Sequence, residues 1–130
     1  MLFMIRKFLA NIDFSGRRQH ERMFAGRSPL SSDEFYEKYF SDQGFKKDIV
    51  VRIKNIFNAK VGFDLSRLSA DDDFSTELQY IWDHDSLADV EILVALEKEF
   101  VIKITDEEAK RMHTIRDVVQ IISAKTQNGN

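Results

Sequence analysis

Residues 86–100 read SLADVEILVALEKEF, a run free of glycine and proline that opens on a serine suited to cap a helix and closes on a phenylalanine. Its apolar side chains decide the fold class. Set out at about 100° per residue, they fall into two stripes: Ile92, Leu96 and Phe100 on one side, with Leu87, Val90 and Val94 nearly opposite. One stripe is enough to face a core. The second is bordered by Glu91, Glu97 and Lys98, which suits a greasy recognition track edged with charge. The competing reading buries both stripes, as happens to the middle element of a bundle, and exposure of Val94 distinguishes the two.

Outward from this segment the helical period persists. Upstream, Ile49, Val50, Ile53, Ile56 and Phe57 describe one face of a helix that begins at Asp48 and is expected to close at Gly62. Residues 63–82 form a loop whose apolar anchors (Phe63, Leu65, Leu68, Phe74, Leu78, Ile81, Trp82) imply ordered structure with helical turns. Its acids Asp71, Asp72 and Asp73 lack the alternating spacing and glycine of a calcium loop and read as loop acids or caps. Downstream, Thr105 with Glu108 makes a capping box before a short helix. Thr114 with Asp117 starts a last helix through Ile115, Val118, Val119, Ile121 and Ile122. Further upstream, Ser31 with Glu34 caps an aromatic helix carrying Phe35, Tyr36, Tyr39 and Phe40, ended by Gly44. No strand alternation competes. The expected fold is all-α: a small bundle of three longer helices and one short helix, with an additional N-terminal helical segment.

Pro29, the only proline, follows Gly16 and Gly26 in an Arg- and Ser-rich stretch, which marks a boundary near residue 30. The expected organisation is a basic N-terminal extension at 1–28, a short aromatic helix at 29–46 packing on the body, a main domain at 47–125 and a tail at 126–130. Leu2, Ile5, Phe8, Leu9 and Ile12 recur at helical spacing ahead of Arg17, Arg18, Arg22 and Arg27. Such an extension either docks on its own domain or stays mobile, or it meets a membrane surface or partner, and the sequence leaves these open.

Charge and composition narrow the function classes. The formal net charge is -3, but residues 1–28 hold six Arg/Lys against two acids, so the remainder sums to -7. Acids gather at 71–73, 83–99 and 106–108, which argues against nucleic acid and favours partners with basic surfaces. The absence of cysteine removes disulfides and a cysteine nucleophile, so thiol chemistry must come from a prosthetic group. The apolar start is interrupted at Arg6 and Lys7, too early for a membrane span or signal core, and a cytoplasmic protein is expected. Asp83, His84 and Asp85 are adjacent and cannot ordinarily converge on one ion. With His20 and His113 distant, no metal site is expected, nor is any catalytic constellation.

The residues of the central helix resemble a known family. Asp85-Ser86-Leu87, Val90-Glu91, Ala95-Leu96-Glu97 and Glu99-Phe100 are similar to the modification helix of acyl carrier proteins. Ile104-Thr105-Asp106-Glu107-Glu108-Ala109 and Thr114-Ile115 resemble that family's next two helix starts, and the likeness spans about residues 47–125. It implies a non-catalytic carrier whose Ser86, flanked by Asp85 and Leu87, receives phosphopantetheine from coenzyme A through a phosphopantetheinyl transferase. The arm's thiol then holds acyl groups as thioesters. Partner recognition falls to Val90, Glu91, Val94 and Glu97, facing acyl-activating, acyl-transferring or synthase enzymes, with a monomer expected. A phosphodiester at this point would lie against free backbone N–H groups and the positive end of the helix dipole. Departures from the pattern point to a specialised lipid or secondary-metabolite pathway. Tyr80, Trp82 and His84 stand in a longer approach to the serine, Ala88 replaces a frequent acid, and Lys98 interrupts the acidic face. The competing function is an unmodified carrier-like module that binds or regulates a partner.

Overall fold

The computed structural model describes residues 16–84 and 87–128, and within them the secondary structure is helical with no strand. Seven helices follow in order: α1 (Arg17–Met23), α2 (Ser32–Tyr39), α3 (Lys47–Lys60), α4 (Tyr80–His84), α5 (Ala88–Phe100), α6 (Asp106–Lys110) and α7 (Ile115–Asn128). The three longer ones, α3, α5 and α7, form the expected bundle, with α3 at its centre packing on α2, α5 and α7. The amphipathic pattern expected at residues 2–12 lies outside the described residues.

Local chemistry accounts for where the elements begin. Ser31 Oγ accepts the Glu34 N–H at 3.1 Å while the Glu34 carboxylate accepts the Ser31 N–H at 2.9 Å, closing the capping box of α2. Thr105 and Glu108 repeat the arrangement at α6 with 3.1 and 2.9 Å bonds. Lys125 then grips the Glu108 carboxylate at 2.9 and 3.0 Å, fastening α6 to α7. At α7, Thr114 Oγ1 takes the Asp117 N–H at 3.0 Å, and the Asp117 carboxylate takes the N–H groups of His113 and Thr114.

One helix end differs from the sequence expectation, and another falls where expected but in an unforeseen turn. α3 leaves through Val61 in extended geometry (φ -86, ψ 134), so Gly62 does not supply a left-handed stop there. The left-handed turn appears instead at Val101 (φ 52, ψ 55), the cap of α5, where a β-branched residue occupies a conformation that favours glycine. The Glu97 carbonyl accepts the Val101 N–H and, at 3.1 Å, the Ile102 N–H, which holds the chain in this turn.

One apolar core runs through all the layers. Phe24, Phe35 and Phe40 from the N-terminal third join Ile53, Phe57, Leu68, Leu78, Ile81, Leu96, Ile115 and Ile122 in the same buried cluster. Between α3 and α4 the chain makes turns whose acids act as sequence reading expects. The Asp72 carboxylate accepts from Arg27 at 2.6 and 3.2 Å and caps the Ser69 N–H at 2.7 Å. Asp73 caps the Ser75 N–H at 2.7 Å. Asp71 holds Arg116 at 2.7 and 3.1 Å, and that hydrogen-bonded guanidinium keeps the Asp71 carboxyl below its ordinary range. Arg116 also donates to the Tyr39 carbonyl and lies 4.8 Å from the Phe40 ring centre, so it joins α7, α2 and the loop.

Candidate functional site

α5 is the element on which the sequence-predicted site residues converge. Its inward stripe is buried: Ala88 and Leu96 are fully covered, and Ile92 and Phe100 nearly so. Its outward stripe is exposed, with Leu87 at 62%, Val90 at 53% and Val94 at 42%. The exposure of Val94 removes the reading in which both stripes are core. Three large apolar side chains on about two turns of one helix form an unusual surface, since isolated exposed valines are common and a row of them is not.

The start of the helix differs by one residue from the expected cap, Ser86. Leu87 (φ -100, ψ -7) precedes the first helical residue, Ala88, and the first backbone bond runs from the Glu91 N–H to the Leu87 carbonyl at 3.0 Å. Leu87, the cap residue, has no side-chain oxygen to cap the helix, and the Asp89 carboxylate takes the Val90 N–H at 2.8 Å. Asp85 and Ser86 lie outside the described residues.

The charged border has divided duties. Glu91 and Lys98 are exposed along the outward face. Glu97 is only half-buried, and its carboxylate accepts the Ile104 N–H at 2.9 Å, which ties the end of α5 to the chain entering α6. Glu99 is committed to α3. Arg52 donates to its carboxylate at 2.8 Å and to its carbonyl at 2.9 Å while lying 4.4 Å from the Phe100 ring centre. The Glu99 carboxylate, together with that of Asp48, holds the Arg52 pKa above its ordinary value.

Beneath α5 lies a pocket of about 300 Å³, at the lower end of the range for small-molecule sites. Ile92, Leu93 and Leu96 form one wall, Ala109, Met112 and Val118 another, and Phe57, Phe74 and Trp82 a third. The aromatic wall is continuous: Trp82 and Phe74 ring centres are 5.1 Å apart, and those of Phe74 and Phe57 are 5.7 Å apart. Exposed Asp89 and Lys110 supply the polar part of the lining. The sequence identified Trp82 and Phe74 as loop anchors and read Met112 as packing. It held no sign that they share a cavity, because they come from three separate segments. Among the described residues no group of three or more His, Asp or Glu side chains is placed to hold a metal ion. None of their helices is long and apolar enough to cross a membrane.

Comparison with known proteins bears on the same region. The family model described as a phosphopantetheine attachment site matches residues 51–122, from within α3 to α7. The chain is 36% identical over 76 residues to an acyl carrier protein of Clostridium acetobutylicum, covering 58% of this chain and 94% of that protein. It is 36% identical over 80 residues to an acyl carrier protein of Picosynechococcus sp., covering 62% and 94% respectively. An acyl carrier protein of Phaeodactylum tricornutum is 34% identical over 76 residues, covering 58% and 95%. These relatives are matched along nearly their whole length, while α1 and α2 precede the family model's match.

Proposed function

This chain belongs to the phosphopantetheine attachment family, with acyl carrier proteins as its relatives, and from that membership we propose that its arm is borne on Ser86 and that it acts as a non-catalytic carrier. The observation that carries the reading is the pairing of an exposed apolar stripe with a largely apolar pocket on opposite faces of α5, the helix that begins directly after Asp85-Ser86-Leu87.

The described residues fit such a group. Leu87, next in sequence to Ser86, is largely exposed, and the pocket under the same helix is lined mainly by hydrocarbon. When bound, phosphopantetheine supplies a thiol that takes acyl groups as thioesters. The protein's own residues do the rest. Ile92, Leu93, Leu96, Met112 and Val118 exclude water from a hydrophobic cargo, and Trp82, tilted against Phe74, closes the aromatic wall. Val90 and Val94, with Leu87, offer partner enzymes a desolvated contact, while exposed Glu91 selects basic surfaces. Glu97 contributes less as a free charge, since it already receives the Ile104 N–H.

The specialised pathway proposed for this carrier rests on features of its approach to Ser86. Tyr80 is buried and Trp82 lines the pocket within α4, and fully buried Ala88 leaves no charge at the first position of α5, ahead of Asp89 and Glu91 in the same turn. Partners that read an acid at residue 88 would find none there.

Co-expression with a broad-specificity phosphopantetheinyl transferase is expected to add one arm to the intact protein, read by mass, and Ser86→Ala is expected to abolish the gain. Unmodified wild-type protein after exposure to several competent transferases would overturn the carrier reading in favour of a module that only binds partners.

A further inference from the structure

The N-terminal third reaches the pocket through one buried histidine. His20, on α1, is 3% exposed, and both of its ring nitrogens are engaged: Nε2 lies 2.6 Å from the Asp64 carbonyl and Nδ1 lies 2.7 Å from the Tyr80 hydroxyl. A carbonyl only accepts, so Nε2 carries the proton and Nδ1 accepts from Tyr80. Burial pushes the Tyr80 hydroxyl up to about 12, which keeps it a donor at neutral pH. Rings complete the enclosure. The imidazole stacks on Phe63 at 4.9 Å and meets Phe24 edge-on at 4.7 Å, and Phe63 meets Tyr80 at 5.4 Å.

α1 is itself fastened to the loop that precedes α4. Arg67 donates to Glu21 at 3.0 Å, Arg27 pairs with Asp72 at 2.6 Å, and the Leu30 N–H donates to the Ser66 carbonyl at 2.7 Å. α4 therefore sits between two attachments. Tyr80 and Trp82 are two residues apart and point to different sides of the helix. Tyr80 is bonded to His20, and Trp82 lines the pocket.

We propose that His20 and Tyr80 are positioning residues through which α1 holds α4 so that Trp82 closes the wall of the acyl pocket. The N-terminal segment is then a working part of the carrier, setting how well the cargo is sheltered. This rests on the pocket's role as an acyl shelter, but it predicts a displacement of Trp82 that needs no cargo to detect.

Trp82 is the only tryptophan, so its fluorescence reports this wall directly. Full-length Tyr80→Phe removes only the hydroxyl. Loss of one buried hydrogen bond is expected to raise the population of displaced α4 roughly tenfold. In unmodified protein, acrylamide quenching of Trp82 should increase. In protein carrying an octanoyl thioester, hydroxylamine cleavage should accelerate by roughly the same tenfold factor, since cleavage tracks the opened population. His20→Asn, which shortens the link from the other side, should reproduce both effects. Val119→Ala, a destabilising truncation at a fully buried position outside the pocket lining, should leave both near wild type. Unchanged quenching in both Tyr80→Phe and His20→Asn, or an equal change in Val119→Ala, would overturn the proposal. Failure to load any acyl group would count against the carrier reading alone, because the quenching comparison would still decide this one.

Discussion

Lys54 provides a test of the packing in which the sign and size of the effect both follow from the structure. Its side chain is 1% exposed, and its Nζ donates to Asn58 Oδ1 at 2.6 Å and to the Leu65 carbonyl at 2.9 Å, 5.3 Å from the Phe35 ring centre. Burial pushes its pKa down from 10.5 to about 8, opposed in part by the charge of Asp64. Between those values the unfolded chain binds more protons than the folded one, so stability rises with pH across the window and levels off on either side. Integrating the linkage for folded and unfolded values of 8 and 10.5 gives a gain of about 1.4 kcal/mol from pH 7 to 9 and about 2.5 kcal/mol from pH 7 to 10. Tyr80 works the other way, since its raised value means its stabilising contribution is lost as pH climbs from about 10 towards 12. The assay is urea unfolding followed by Trp82 fluorescence at pH 7, 8, 9 and 10, on wild type and on Lys54→Met, which keeps most of the packing and does not titrate. Subtracting the two curves cancels the other lysines and Tyr80. The difference should climb in favour of wild type by the amounts given, and a flat difference would refute the claim that a buried ammonium is held at neutral pH.

Three further outcomes are expected. Val101→Gly should stabilise the protein by about 1 kcal/mol in urea unfolding, because it relieves a β-branched residue of a left-handed conformation at a site 89% exposed. Val94→Asp should impair acylation by a partner enzyme severalfold in kcat/KM while helical content by circular dichroism stays unchanged, since an acid there disturbs only the exposed stripe. Cargo length should matter. By comparison with a 150 Å³ cavity that accepts benzene, a pocket of about 300 Å³ holds on the order of eight to twelve carbons. Thioester protection against hydroxylamine should rise with chain length to about that point and then stop rising, and Trp82→Ala should move the limit to longer chains.

The parts of this fold that were legible in the sequence are those decided within a few residues. Each capping box joins groups three residues apart, so Ser31 with Glu34 and Thr105 with Glu108 announce their helices before any tertiary contact is known. The two stripes of α5 are equally local, since helical period alone separates Leu87, Val90 and Val94 from Ile92, Leu96 and Phe100. What the sequence withheld depends on distant partners. His20 meets groups 44 and 60 residues away, and nothing near it marks it as the link to α4. Lys54 stands at helical spacing inside an apolar face, between Val50 and Phe57, yet its acceptors include a carbonyl reached only when the loop folds back. Gly62 and Val101 show the limit of residue preference: the chain turns left-handed where tertiary packing and the Glu97 carbonyl require it, even though glycine was available after α3 and not after α5.

The two faces of α5 make its position matter. One face is exposed and the other lines the pocket, so under the proposed function a shift of the helix by a fraction of a turn would present the wrong residues to both partner and cargo. Arg52 clamps the far end through Glu99 and the Phe100 ring, and Glu97 binds the Ile104 N–H beyond it. At the near end Ala88 is sealed in the core. The strap of α1 and α4 adjoins that end: His20 holds Tyr80, and α4 ends at His84, two residues before Ser86 in the sequence. If the pocket shelters cargo as proposed, the N-terminal helices of this chain act on its wall, because His20 holds Tyr80 two residues from Trp82.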